Sequence, residues 1–175
     1  MKHSSAVAIE ILSDGGRKYG FGHLRRSYTL AQKLRDCNFQ IKFNIVSEEG
    51  SNLKLDFVST NIKPSLQIID LPYDILPWVD GGHAKTPTIA LDYFGDARPT
   101  LTISLFEHRL PPPDGNRLCG LKYALIRESI LQKETLLLGK DIMVMIGGSD
   151  INGVGGEAAL KLSEMGKKVS LIQGP

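Results

Sequence analysis

The residues best suited to chemistry lie in one stretch, "GGRKYGFGHLRR", residues 15 to 26, with four glycines, one histidine and three arginines in twelve positions. A glycine loop that leads from a strand into a helix presents backbone N–H groups and a helix N-terminus to an anion. An imidazole at the head of such a helix, His23, is pushed toward its neutral form and could accept a proton from water near neutral pH. The spacing Gly15-Gly16-x-x-x-Gly20-x-Gly22 is not the dinucleotide fingerprint, and the Lys-Ser/Thr of a P-loop is missing. From the residues alone, a flexible turn with a helix-starting histidine explains the stretch as well as a phosphate cradle does. Arg25 and Arg26 fall in the first helical turn, where positive charge opposes the macrodipole; an anionic ligand would relieve this, and so would solvent. Asp14 and Asp92 each close a strand beside a loop, a position that suits capping as well as catalysis. A second glycine turn, Gly147-Gly148-Ser149-Asp150, again follows an apolar run, and two anion-capable turns suggest a ligand held between two units. His83 in "DGGHAK" and His108 at the start of a proline-rich stretch read as solvated turn residues, and no convergent set of metal ligands is apparent.

These residues need a scaffold. "AVAIEILS" (Ala6 to Ser13) predicts a strand, and "HLRRSYTLAQKLRD" (His23 to Asp36) a helix with Leu24, Tyr28, Leu30, Ala31 and Leu34 on one stripe. "QIKFNIVS" (Gln40 to Ser47) alternates as a strand and completes a βαβ unit, so a parallel sheet is expected. "NLKLDFVS" (Asn52 to Ser59) fits helix or strand. "LQIID" (Leu66 to Asp70), "TIALD" (Thr88 to Asp92) and "TLTISL" (Thr100 to Leu105) have the pattern of short buried strands, and ligand loops in open α/β sheets lie at such C-terminal strand ends. "HRLPPPDGNR" (His108 to Arg117) predicts an exposed connector. From Asp141 to Pro175 the strand, glycine turn, helix and strand pattern restarts as a second βαβ unit. The expected division is residues 1–117 for an N-terminal domain, 118–140 for an interdomain segment and 141–175 for the start of a second domain, a fragment or a unit whose edge is covered by self-association.

With 175 residues, 42% hydrophobic and 23% charged, the chain suits one ordinary domain or slightly more. Its net charge of +2 comes from interspersed cations and anions, which argues against nucleic acid as a partner. Cys37 and Cys119 have neither a CxxC partner nor a His at ligand spacing, which points to reduced thiols and a cytoplasmic setting. The apolar run near the N-terminus is too weak for a signal peptide, and none is long enough to span a bilayer.

Three stretches carry a resemblance. "SDGGRKYGFGHLRRSYTLAQKL", "CGLKYALIRESI" (Cys119 to Ile130) and "MIGGSDIN" (Met145 to Asn152) resemble, in order, the corresponding segments of the UDP-2,4-diacetamido-2,4,6-trideoxy-β-L-altropyranose hydrolases of pseudaminic acid biosynthesis, and are similar to the glycosyltransferase-like proteins of spore-coat polysaccharide biosynthesis. The resemblance implies an α/β fold of the GT-B type, with an N-terminal Rossmann-like parallel-sheet domain and the first βαβ unit of a second Rossmann-like domain. It implies His23 as the catalytic residue, acting on the water that attacks the anomeric carbon while UDP leaves, with neither metal nor cofactor. Asp14, Gly20, Gly22, Arg26, Tyr73 and Asp92 would contact the substrate, and Gly147, Gly148, Ser149 and Asp150 the nucleotide.

The chain departs from the family pattern at Gly16-Arg17-Lys18-Tyr19, where a serine and an apolar residue are usual. It departs again at Asp70-Leu71-Pro72-Tyr73, with the tyrosine displaced by one, and at "LDYFGD", which keeps Asp92 without a second adjacent Asp. The expected function is therefore hydrolysis of a UDP-linked amino sugar in polysaccharide biosynthesis. The alternatives are a glycosyltransferase in which an acceptor hydroxyl replaces water, and a non-catalytic nucleotide-sugar-binding domain.

Overall fold

The computed structural model describes residues 7–47, 62–79, 86–106, 116–126, 130, 141–147, 150 and 152–173. Alternation within β1 (Ala8–Ser13) sends its side chains to opposite faces of a sheet, and both faces are covered. Ile9 and Ile11 pack with Leu24 and Ala31 of helix α1 (Gly22–Asp36), whereas Leu12 joins Ile69, Leu71, Ile75 and Ala90 in a second cluster. Strands β2 (Gln40–Ile45) and β3 (Leu66–Asp70) flank β1 in parallel. After the short helix α2 (Leu76–Val79), strands β4 (Thr88–Leu91), β5 (Leu101–Ser104) and β6 (Asn116–Cys119) extend the sheet beyond β3.

The six strands stand in the order β2-β1-β3-β4-β5-β6, every neighbouring pair parallel. The fold is α/β and Rossmann-like. The chain leaves β1 toward one edge, then returns to the other side of β1 to continue, so the connections diverge between β1 and β3. At such a switch point the loops beyond the strand ends part and leave a crevice.

Most predicted elements lie where their periodicity puts them, with bounds shifted by one or two residues. The connector reading of His108 to Arg117 is corrected at its end, because Asn116 and Arg117 open β6 and pair with Leu101 and Thr102. The first sheet therefore extends to Cys119, past the expected boundary at residue 117. The segment Asn52 to Ser59, and both His83 and His108, lie outside the described residues.

Inside the sheet, Glu10 is almost fully buried. It accepts hydrogen bonds from Asn44 Nδ2 at 2.7 Å and Gln67 Nε2 at 3.1 Å, and pairs with Lys42 Nζ at 2.8 Å. Such a carboxylate is tolerated because both of its oxygens have donors from the adjacent strands.

A separate two-stranded parallel sheet joins β7 (Ile142–Met145) to β8 (Val169–Ile172), with helix α3 (Val154–Glu164) between them in the chain. No helix among the described residues is long and apolar enough to cross a membrane.

Candidate active site

The switch point brings together three carboxylates that end strands or begin the loops after them: Asp14 after β1, Asp70 at the end of β3, and Asp92 after β4. Helix α1 starts above them. Its residues 23, 26 and 27 share one face by the i, i+3, i+4 rule, and all three meet Asp70.

Asp70 is fully buried and is the hub. His23 Nδ1 lies 2.7 Å from its Oδ1, Arg26 grips both oxygens through Nε at 2.7 Å and Nη2 at 2.5 Å, and Ser27 Oγ donates at 2.7 Å. Burial by itself would push the Asp70 carboxyl up, but hydrogen bonds and charge from Arg26 and His23 outweigh it and hold the pKa below its ordinary value. An ionised Asp70 makes Nδ1–H of His23 the donor, and in the neutral imidazole that tautomer has Nε2 as its acceptor nitrogen. The 3.2 Å approach of Arg26 Nη2 to the same Nδ1 then follows from two donors converging on one oxygen.

Arg26 also bonds Asp92 through Nη1, so all three guanidinium nitrogens are engaged by protein carboxylates. Burial would lower its pKa, yet Asp70 and Asp92 together raise it, keeping the cation fixed. Asp92 adopts φ 47°, a left-handed conformation that Asp tolerates better than most residues, and its other oxygen accepts from the Leu105 amide at 2.9 Å. Arg26 and Asp92, expected to contact substrate, form an ion pair that braces Asp70, and Asp92 also lines the cleft onto which His23 opens.

Asp14 is likewise committed to protein donors. It is 3% exposed and receives the Gly15 amide at 2.8 Å, the Ser47 hydroxyl at 2.5 Å and the Tyr73 hydroxyl at 2.7 Å. Burial, then the bond to Asp14, raises the Tyr73 hydroxyl well above the ordinary tyrosine range, so it stays a donor. Tyr73 in turn lies against Tyr19 and Trp78, with ring centroids 5.7 and 5.9 Å apart.

The glycine loop closes on itself. Gly16 and Gly20 exchange backbone hydrogen bonds of 3.1 and 2.6 Å, with Gly20 at φ 74°. Of the two readings the sequence left open, a turn and a phosphate cradle, the turn describes these two positions, because each N–H donates to the other residue's carbonyl oxygen. Gly22 opens α1 with free space where a side chain would be. At Gly15 a Cβ would stand 2.8 Å from the Gly20 carbonyl oxygen and 3.0 Å from Leu24 Cδ1. A Gly15→Ala variant should lose about 1–3 kcal/mol of stability through this overpacking, read as a lower urea midpoint; an unchanged midpoint would show that the loop relaxes freely.

His23 opens onto a cleft of about 470 Å³, lined also by Pro72, Tyr73, Asp74, Tyr93, Phe94 and Asp96. Tyr93 fastens the far wall by donating to Asp74 at 2.7 Å and accepting from the Ala97 amide at 3.0 Å. Burial raises its pKa, the Ala97 amide opposes this and Asp74 reinforces it, to about 12. No group of three or more potential metal ligands occurs among the described residues.

The second glycine turn belongs to the β7–α3 unit. Gly147 has φ 51°, and the Asp150 carboxylate accepts the amides of Val154 at 2.9 Å and Gly155 at 2.7 Å. Asp150 thus caps α3 on the amides that a phosphate would use. Gly148 and Ser149 lie outside the described residues.

The structure brings His23 and Arg26 together on Asp70, with Asp92 bonded to Arg26, and sequence reasoning had not singled out Asp70. The available signal was the aspartate ending "LQIID", in the same strand-end position as Asp14 and Asp92. Comparison with protein families, with curated proteins and with solved structures gives no match.

Proposed function

We propose that the protein is a nucleotide-sugar hydrolase that releases UDP from a UDP-linked diacetamido deoxy sugar, with His23 as general base. The observation that carries this reading is the 2.7 Å contact between His23 Nδ1 and buried Asp70 at the mouth of the switch-point cleft. A base needs a fixed tautomer, a partner that stabilises its protonated form and access to substrate. His23 has all three.

In the proposed reaction a water gives its proton to Nε2 while its oxygen bonds to the anomeric carbon. The bond from that carbon to the phosphate oxygen breaks, and UDP leaves with the electron pair. Asp70 balances the imidazolium that forms, and the Arg26–Asp92 brace keeps Asp70 in place. The aromatic rings of Tyr73, Tyr93 and Phe94, with the Asp74 carboxylate, offer the stacking faces and acceptors that a pyranose bearing N–H and O–H donors requires. The UDP-linked sugar itself comes from the sequence resemblance.

The test is UDP release from a UDP-activated diacetamido sugar, measured with and without added sugar acceptors. Release independent of acceptor is the expected result. Release that requires an acceptor hydroxyl would make the protein a transferase, and no release under either condition would remove the nucleotide-sugar reading.

A further inference from the structure

A second cavity lies beside the cleft of His23. It measures about 460 Å³ against about 470 Å³ for the cleft, within the roughly 300–1,000 Å³ of small-molecule sites. Its walls are mostly aliphatic: Leu30 of α1, Leu91 and Ile103 from the carboxyl ends of β4 and β5, and Leu105, Leu125 and Ile126 from the segments that follow β5 and β6. Arg26 and Asp92 also line it, but as a bonded pair of opposite charge. Lys122 stands exposed at the edge, with Nζ 5.0 Å from the Tyr123 ring centroid. Such walls favour an uncharged apolar occupant, which removes them from water.

Asp92 belongs to both spaces, whereas His23 lines only the cleft and Arg26 only the second cavity. Both lie beyond the carboxyl ends of neighbouring parallel strands, where open α/β sheets take their ligands. A molecule whose ring occupies the acidic cleft therefore reaches the aliphatic walls through a substituent that passes Asp92. A carboxylate oxygen accepts more than one hydrogen bond. Asp92, with Oδ2 on Arg26 and Oδ1 on the Leu105 amide, can also accept an amide N–H at that junction.

We infer that the second cavity is an acyl subsite, taking an uncharged aliphatic acyl chain that is amide-linked to the sugar in the cleft. This rests on the amino-sugar reading above and extends the substrate class to sugars in which one acetyl is replaced by a longer chain. Size carries the extension. An apolar cavity of about 150 Å³ takes up a benzene molecule, so an acetyl group, which is smaller than benzene, leaves most of this cavity unfilled.

The experiment is a titration of the ¹⁵N-labelled protein with N-octanoylglucosamine, N-acetylglucosamine, octanamide and UDP. The octanoyl sugar should move the amide resonances of residues 73–74 and 93–96 around the ring and of residues 105 and 123–126 around the chain; octanamide should move the second set alone. The octanoyl sugar should bind at least about tenfold more tightly than the acetyl sugar, a fraction of the gain from fully burying its additional methylene groups. An Ala124→Leu variant, which enlarges a lining side chain, should lose this advantage and keep wild-type affinity for the acetyl sugar. Equal affinity of wild type for the two sugars, silence of residues 105 and 123–126 with both octanoyl compounds, or a chain response with none in residues 93–96 would overturn the inference. Movement of residues 123–126 with UDP would make the cavity a nucleoside pocket, and movement with protein concentration alone would place a second copy there; either overturns it too. Since no arm needs turnover, the two proposals fail separately. Octanoyl-sugar binding across both walls without UDP release would sink hydrolysis alone, whereas acceptor-independent UDP release with equal affinity for the two sugars would sink the subsite alone.

Discussion

A His23→Ala variant will release UDP about a hundred- to ten-thousandfold more slowly than wild type, the range expected for loss of a positioned general base. The fall should appear in kcat, because the imidazole acts on the water in the transition state and has no part in holding the nucleotide. Folding should change little. The side chain is 27% exposed, and in its absence Asp70 keeps Arg26 and Ser27 as donors. The measurement is steady-state UDP release beside a urea unfolding curve for the same preparation. A variant that turns over like wild type would end the assignment of His23 as base, whatever the substrate proves to be.

An Asp70→Asn variant will suffer on both counts. Asparagine offers one acceptor oxygen and an NH₂ group where four donor contacts now converge, so at least one donor faces another donor. Removing one member of a buried, hydrogen-bonded ion pair costs about 3–5 kcal/mol. The value here should lie near the lower end, since Arg26 keeps Asp92 and its own side chain is 23% exposed. The pH dependence gives an independent check. The folded-state pKa of Asp70 lies below its ordinary value of 3.8, so its contribution is fully present above that value and is lost as pH falls through the lower folded pKa. Wild type should therefore lose stability through this acid window, and Asp70→Asn should show a flatter profile there. Parallel profiles for the two proteins would mean that Asp70 is not held ionised by its partners. Activity should also drop, because a carboxamide neither fixes the Nδ1–H tautomer nor balances an imidazolium.

Much of the scaffold is legible in the sequence because local patterns encode it. The apolar stripe of α1 and the alternation of β2 are short-range signals, and both elements form as read. The site is legible only in part, since its hub depends on strand order. Nothing in "LQIID" says that β3 will lie beside β1 beneath the first turn of α1; that follows from the reversal in topology. The loop "GGRKYG" fits a turn or an open cradle in sequence, and only the left-handed Gly20 and the return of its amide to the Gly16 carbonyl close it. Asp150, four residues before the start of α3, carried a capping signal that the anion-binding reading passed over.

The buried Glu10 acts at a distance on all of this by serving as an alignment key. Pairing of Glu10 with Gln67 and of Ser13 with Asp70 belongs to one register between β1 and β3. A slip by one residue would shift Asp70 by about 3.3 Å and turn its side chain to the opposite face. It would also set Glu10 against Leu66 or Ile68 instead of an amide, so that the buried Oε2 loses the donor Gln67 supplies. A polar contact three residues upstream therefore penalises the misregistered sheets in which the histidine would lose its carboxylate.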